Sequence, residues 1–79
     1  MKFRINIILK PSILDPQGQA VAFSLKGQGF ENIKNVRQGK ILDIEFNSSK
    51  VDMKKINAMC ENFLTNPLVE DYTIEEIKT

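Results

Sequence analysis

The sequence predicts an α+β domain with a small antiparallel sheet of three or four strands and two helices on one face. Segments with apolar side chains at every second position predict strands, and segments with helical spacing and capping residues predict helices. The predicted element order is β-α-β(β)-α-β in a single domain, residues 1–79. A chain of this length buries only about 60% of its unfolded surface, so contact with a partner would add stability.

The first strand is predicted from Lys2 to Lys10, before Pro11 interrupts the pattern. Its apolar face consists of Phe3, Ile5, Ile7 and Leu9. Ile8 lies on the opposite face, which we therefore expect to be partly apolar as well.

The first helix is predicted from Asp15 to about Lys26, with Asp15 as the cap and Pro16 at the first helical position. Gly18 is unexpected there, because glycine inside a helix costs roughly 0.5–1 kcal/mol relative to alanine. Its bare backbone is explained either by close packing inside the domain or by close contact with a partner. A thin buried stripe is expected at Gly18, Val21, Ala22 and Leu25. Gly27-Gln28-Gly29 ends the helix, with one glycine in the left-handed conformation.

The second strand is predicted from Ile33 to Phe46. Arg37-Gln38-Gly39-Lys40 divides this range and is typical of a bulge or a tight hairpin. One long bent strand and two short strands therefore both fit the pattern.

The second helix is predicted from about Ser49 or Lys50 to Leu64, and Asn66-Pro67 stops it. Its apolar face consists of Met53, Ile56, Met59, Cys60, Phe63 and Leu64. A last strand is predicted from Leu68 to Ile74, with Tyr72 and Ile74 on one face.

Composition excludes several classes of function. The 11 basic and 10 acidic residues give a net charge of +1, which argues against nucleic acid as a partner, and no apolar run is long enough for a membrane span. The chain has no histidine and one cysteine, so we expect no internal disulfide and a cytoplasmic location. We expect no catalytic residue, cofactor site or metal site, because no nucleophile–base pair, phosphate loop or ligand cluster is present. Cys60 is predicted to be a buried structural thiol.

The loop at Arg37 and Lys40 is the best candidate for a functional contact. As an exposed basic loop it would bind an acidic protein surface or a phosphate, although a plain turn also explains it.

Several stretches together resemble one family, the PurS subunit of phosphoribosylformylglycinamidine synthase. They are LKPSILDPQGQAV (9–21), VRQGKILDIEF (36–46) and MCENFLTNPLVEDYTIE (59–75), with Gly29-Phe30 between the first two. The resemblance covers essentially the whole chain in the expected order. Phe63-Leu64-Thr65 departs from the family pattern, in which a leucine pair and an alanine are expected.

The resemblance implies a non-catalytic subunit of a ligase in de novo purine synthesis. It would bridge a glutaminase subunit (PurQ) and a large synthetase subunit (PurL), which binds ATP and Mg, and would support ammonia transfer between them. The resemblance also implies a homodimer or homotetramer, and we expect a dimer mediated by the sheet. The candidate subunit contacts are Arg37, Lys40, Gly39, Gly18, Asp15, Gln17, Asn66, Glu70 and Asp71.

Three other functions fit the same architecture less well. A stand-alone dimeric sensor of small molecules remains the main alternative. An enzyme of acylphosphatase type needs an arginine-bearing phosphate loop after the first strand, and Pro11-Ser12-Ile13 supplies none. An RNA-binding sheet needs exposed aromatic side chains, whereas Phe3 and Phe46 lie in apolar alternations.

Overall fold

The fold is a three-stranded antiparallel sheet with two helices in the order β-α-β-α-β. A computed structural model describes residues 1–78, and the predicted fold class is confirmed. The predicted placement of both helices on one face of the sheet is not observed: Ile56 of the second helix lies in the apolar core, whereas no residue of the first helix packs against that core in this range. The elements are β1 (Lys2–Leu9), α1 (Pro16–Gly27), β2 (Gly39–Glu45), α2 (Met53–Met59) and β3 (Glu70–Ile77).

Strand β1 is the centre of the sheet, since the strand order is β2-β1-β3. Ile5 lies opposite Leu42 on one side and Ile74 on the other, so the apolar alternation of all three strands is in register. The buried core consists of Phe3, Ile5, Ile7, Ile56 and Cys60. Tyr72 and Ile74 pack against this core, as their predicted common face requires.

Helix α2 begins later than predicted, because Asp52 caps it by accepting a hydrogen bond from the backbone N–H of Lys54 at 2.9 Å. Beyond α2 the backbone forms a π-helical turn at Cys60–Leu64. The helical segment as a whole therefore ends at Leu64, as predicted. The predicted apolar face is wrong at Met53 and Phe63, whose side chains are 45% and 84% exposed. The wider π turn changes the angular position of Phe63 relative to a regular α-helix.

Strand β2 is a single strand of seven residues, so the prediction was wrong for residues 33–38 and the hairpin alternative is excluded. Gly39 pairs with Ile8, the last residue of β1 that pairs with β2, and the next residue, Leu9, pairs with β3 alone. The backbone N–H of Gln38 donates to the Asp15 carboxylate instead of to a neighbouring strand. The alternation of apolar residues could not show where the pairing of this segment with β1 ends.

Strand β3 begins at Glu70 and ends at Ile77, a shift of two residues at its start and three at its end from the prediction. Of residues 1–78, Gly29 is the one with a positive φ, 98°, which confirms a left-handed glycine after α1. Asn66 does not adopt this conformation, and its side-chain oxygen accepts the backbone N–H of Leu68 at 3.2 Å.

Helix α1 has nearly the predicted bounds and extends beyond the sheet with the segment that follows it. Gly18 is its one buried residue, and the predicted buried stripe is wrong at Val21, which is 41% exposed. We call residues 16–35 the arm. The molecule measures 48 × 31 × 14 Å. Its radius of gyration of 16.0 Å exceeds the value of about 12 Å expected for a compact chain of this length.

Gly18 lies where the start of α1 crosses the segment leading into β2. A Cβ atom on Gly18 would overlap the backbone carbonyl oxygen of Val36 and would crowd the Asp15 carboxylate. The missing side chain therefore permits a close backbone contact inside the domain, which is the first of the two explanations above.

We expect Gly18→Ala to destabilise the fold by about 1–3 kcal/mol, because the Val36 backbone must move to admit the methyl group. Gly27→Ala is the matched control, since it lies in the same helix with open space at its Cβ position. Urea unfolding followed by circular dichroism measures both variants. Equal stability of the two variants would contradict the close contact at Gly18.

Candidate functional site

The predicted contact residues gather at one end of the sheet, where β1 ends and β2 and β3 begin. Gly39 pairs with Ile8, and Glu70 pairs with Leu9, so the starts of both outer strands flank the end of β1. The β1–α1 connection and the segment entering β2 meet at the same end. A shallow cleft of about 280 Å³ lies between them, and its polar lining includes Asp15, Gln17, Gln38, Lys40 and Glu70.

Asp15 is the most buried of the predicted residues, with 4% of its surface exposed. One carboxylate oxygen accepts the backbone N–H of Gly18 at 2.9 Å and caps α1, as predicted. The other accepts the backbone N–H of Gln38 at 2.6 Å. The hydrogen bonds from Gln38 and then Gly18 lower the pKa of Asp15 below its ordinary value. The charged carboxylate therefore stabilises the folded chain.

Arg37 is half-buried, and its guanidinium donates to the chain's own backbone. The hydrogen bonds to the carbonyl oxygens of Leu9, Lys10 and Ile13 measure 3.2, 2.9 and 3.0 Å. The structure therefore gives Arg37 an internal role that fits neither the exposed basic loop nor the plain turn. A direct role for Arg37 in a subunit contact stays a prediction.

Gln17 and Gly39 also have contacts within this end of the molecule. The side-chain oxygen of Gln17 accepts from the Gln38 amide nitrogen at 2.8 Å. Gly39 lies close to the carbonyl oxygen of Ile7, which leaves no room for a Cβ atom. Both residues thus fix the position of the segment that leads into β2.

Lys40 differs from Arg37 because its side chain is 59% exposed. Its ammonium nitrogen lies 4.0 Å from a carboxylate oxygen of Glu70, at the limit of an ion pair. Exposed pairs of this kind contribute little to stability. Lys40 therefore remains available to bind an acidic group on another protein.

The turn before β3 and the first two residues of β3 hold the three remaining candidates. The Asn66 backbone N–H donates to the Glu70 carboxylate at 2.7 Å, and the Glu70 backbone N–H donates to the Asn66 carbonyl at 2.8 Å. Asp71 accepts a hydrogen bond from Lys10 at 2.6 Å, and its side chain is 52% exposed. These bonds close the turn and connect it to β1.

The chemistry available in residues 1–78 is hydrogen bonding and charge. No group of three or more acidic, cysteine or histidine side chains is arranged to hold a metal ion in this range. Cys60 is fully buried, as predicted. Its burial raises the pKa of the thiol, and the nearby charge of Glu61 raises it further. No helix in the described range is long and apolar enough to cross a membrane.

The contributions of Gln38 and Val36 could not be predicted from their residue types. The Gln38 N–H and the Val36 carbonyl are backbone groups, and they meet residues about twenty positions earlier in the chain. Gly18 was a local signal that backbone had to approach closely, but its partner could not be read from the sequence.

The fold defines a small α+β domain with a polar cleft at one end of its sheet. The family model described as "PurS: Phosphoribosylformylglycinamidine (FGAM) synthase" matches residues 2–78. The chain belongs to the PurS family.

Relatives of known name agree with this assignment. The PurS subunit of phosphoribosylformylglycinamidine synthase from Mycobacterium leprae is 40% identical over 89% of this chain and 87% of its own. The corresponding Bacillus subtilis subunit is 36% identical over 94% and 89%.

Solved structures show the same fold. Bacillus subtilis PurS has a TM-score of 0.83 at 36% identity and covers 94% of each chain. A chain in the structure of PurLQS from Thermotoga maritima has a TM-score of 0.77 at 28% identity and covers 96% of this chain and 95% of its own.

We expect Asp15→Asn to destabilise the fold at neutral pH, because the amide presents N–H donors to a backbone donor. The pKa of Asp15 is lowered in the folded chain. The carboxylate therefore contributes its full stability above its ordinary pKa of 3.8, and this contribution is lost as the pH falls through the folded value. The stability difference between the parent and the variant should be largest near neutral pH and should close in acid.

Urea unfolding across this pH range measures the difference. Asp71→Asn is the control, because it removes a charge from an exposed ion pair at the same end of the sheet. A gap between the parent and Asp15→Asn that stayed constant with pH would exclude this role of the carboxylate.

Proposed function

We propose that the chain is a non-catalytic subunit of phosphoribosylformylglycinamidine synthase in purine biosynthesis. The family match over residues 2–78 is the observation that carries this proposal. The likeness to a chain in the Thermotoga maritima PurLQS structure supports a place in a complex of three kinds of subunit. In that complex the chain would bridge PurQ and PurL and would support ammonia transfer between their sites.

The family resemblance implies a division of chemistry in such a complex. This chain would supply surfaces for contact, and ATP and Mg would bind to PurL. The exposed ammonium of Lys40 would meet an acidic group of one larger subunit. Arg37 and Asp15 would act indirectly, since their hydrogen bonds hold the backbone beside Lys40. We place the complex in the cytoplasm.

The chain would also associate with itself, as a homodimer that can pair into a homotetramer. Its accessible surface is 6158 Å², about 1,300 Å² more than a compact monomer of this mass exposes. A typical interface buries about 800 Å² on each partner, so the excess is large enough for one. The outer face of the sheet, with Ile8 and Ile41 at 42% and 58% exposure, is the proposed dimer surface.

Reconstitution with PurQ and PurL tests the bridging role. We expect glutamine-dependent synthase turnover to be lost without this chain and restored when it is added. Turnover with ammonium salt, which bypasses the glutaminase, should depend much less on the chain. Unchanged glutamine-dependent turnover without the chain would rule out the proposal.

Lys40→Glu should weaken this restoration, because it reverses the charge proposed to meet an acidic group. Lys54→Glu is the matched control, an exposed lysine on α2 away from this end of the sheet. Equal effects of the two substitutions would show that Lys40 does not make the proposed contact. The bridging role itself is tested by the reconstitution experiment.

Sedimentation equilibrium tests self-association. We expect the parent to sediment with at least the mass of a dimer, and Ile41→Lys on the outer sheet face to shift it toward the monomer. Phe23→Lys is the comparison, because Phe23 is an apolar residue of the arm with 81% exposure. Dissociation by Phe23→Lys alone would place the dimer surface on the arm, and a monomeric parent would contradict self-association.

A further inference from the structure

The arm is attached to the rest of the molecule mainly by polar contacts at one end. Gly18, at the start of α1, is the buried residue of that helix, and within the described residues no side chain of α1 belongs to the apolar core or packs against it. Away from this end the arm packs on itself: Leu25 and Ile33 are half-buried, and the Phe30 N–H donates to the Leu25 carbonyl at 3.1 Å. Apolar packing against the sheet therefore cannot fix the direction of the arm.

Two charged side chains join both ends of the arm to the sheet, and we call this arrangement the polar joint (Asp15, Arg37 and the backbone groups they bind). Arg37 follows the arm and donates to the carbonyl oxygens of Leu9 and Lys10 at the end of β1. Asp15 precedes the arm and accepts the N–H of Gln38, next to the start of β2. Arg37, at the C-terminal end of the arm, is thus bound to the end of β1, and Asp15, at the N-terminal end of the arm, is bound to the residue before β2.

We propose that the polar joint is a lock that sets the angle between the arm and the sheet. Hydrogen bonds from ionised groups are short and directional, so they fix orientation better than a small apolar contact does. Hinges in proteins are a few loop residues that absorb the change in backbone angles, and residues 10–15 and 36–38 are the two connections here. Loss of the Arg37 bonds frees the arm to move as a body while the sheet keeps its structure.

The direction of the arm decides where its exposed apolar side chains are presented. Phe23 and Phe30 are 81% and 59% exposed, and both lie on the arm. A locked arm offers them to a partner protein in one orientation, which lowers the entropy lost on binding. The lock concerns this chain alone, so it holds or fails separately from the proposed role in the synthase.

Distance measurements between paired spin labels test the lock in the full chain. Ser24→Cys on α1 and Glu76→Cys on β3 place both labels at exposed positions, and the native Cys60 is fully buried. Dilution with unlabelled chain removes distances between copies. We expect one narrow distance distribution for the parent and loss of that narrow peak in Arg37→Ala, with the far-ultraviolet circular dichroism of a folded chain retained.

Tyr72→Phe is the matched control, because the Tyr72 hydroxyl also makes two hydrogen bonds, to Asn57 at 3.1 Å and Glu61 at 3.2 Å, away from the polar joint. It should keep the narrow peak. Arg37→Lys, which retains a donor, should broaden the distribution less than Arg37→Ala and decides the matter if the alanine variant does not fold. A narrow peak in the folded Arg37 variants, or equal broadening by Tyr72→Phe, would overturn the proposal.

Discussion

The Asp15 carboxylate accepts the backbone N–H of Gly18, 3 residues further along the chain, and that of Gln38, 23 residues further along, and much of the molecule depends on this bridge. One carboxylate oxygen caps the start of α1, and the other holds the backbone just before β2. Because both donors are backbone groups, the bridge holds the course of the chain rather than a pair of side chains. The close approach of Val36 to Gly18 and the position of Gly39 against Ile7 follow from that course.

The molecule divides its stability between two kinds of interaction. The sheet and α2 are held by a small apolar core around β1, in which Phe3 meets Phe46 edge to face with ring centres 6.0 Å apart. The arm is held by charged hydrogen bonds at one end. The domain therefore keeps a stable centre and still exposes more surface than a compact chain of its size, which suits a protein that works through contacts with others.

The features that the sequence predicted correctly are local ones. Alternation at Phe3, Ile5 and Ile7 and the Asp15-Pro16 helix start depend on neighbouring residues, and both are present in the structure. The prediction of a strand at residues 33–38 was wrong because the residue pattern does not show whether a neighbouring strand is present to pair with them. Phe63 was predicted to be buried because the helical spacing was regular, whereas the backbone changes to a π turn at Cys60.

The candidate site could likewise be predicted only where its residues carry a local signal. The family resemblance and the turn residues indicated Arg37, Asp15 and Gly18, and the structure brings all three together. Their partners are backbone groups far away in sequence, so residue types alone could not identify them. What Arg37 binds is therefore a result of the fold.

Strand β1 uses both of its backbone edges inside the sheet, and β2 and β3 are the outermost strands. A further strand from another molecule could join at either side without breaking any existing pair or disturbing the buried side chains. The pairing of the three strands therefore does not use the outer backbone edges of β2 and β3. Backbone changes along those two margins would consequently disturb the sheet less than the same changes in β1, which is paired on both sides.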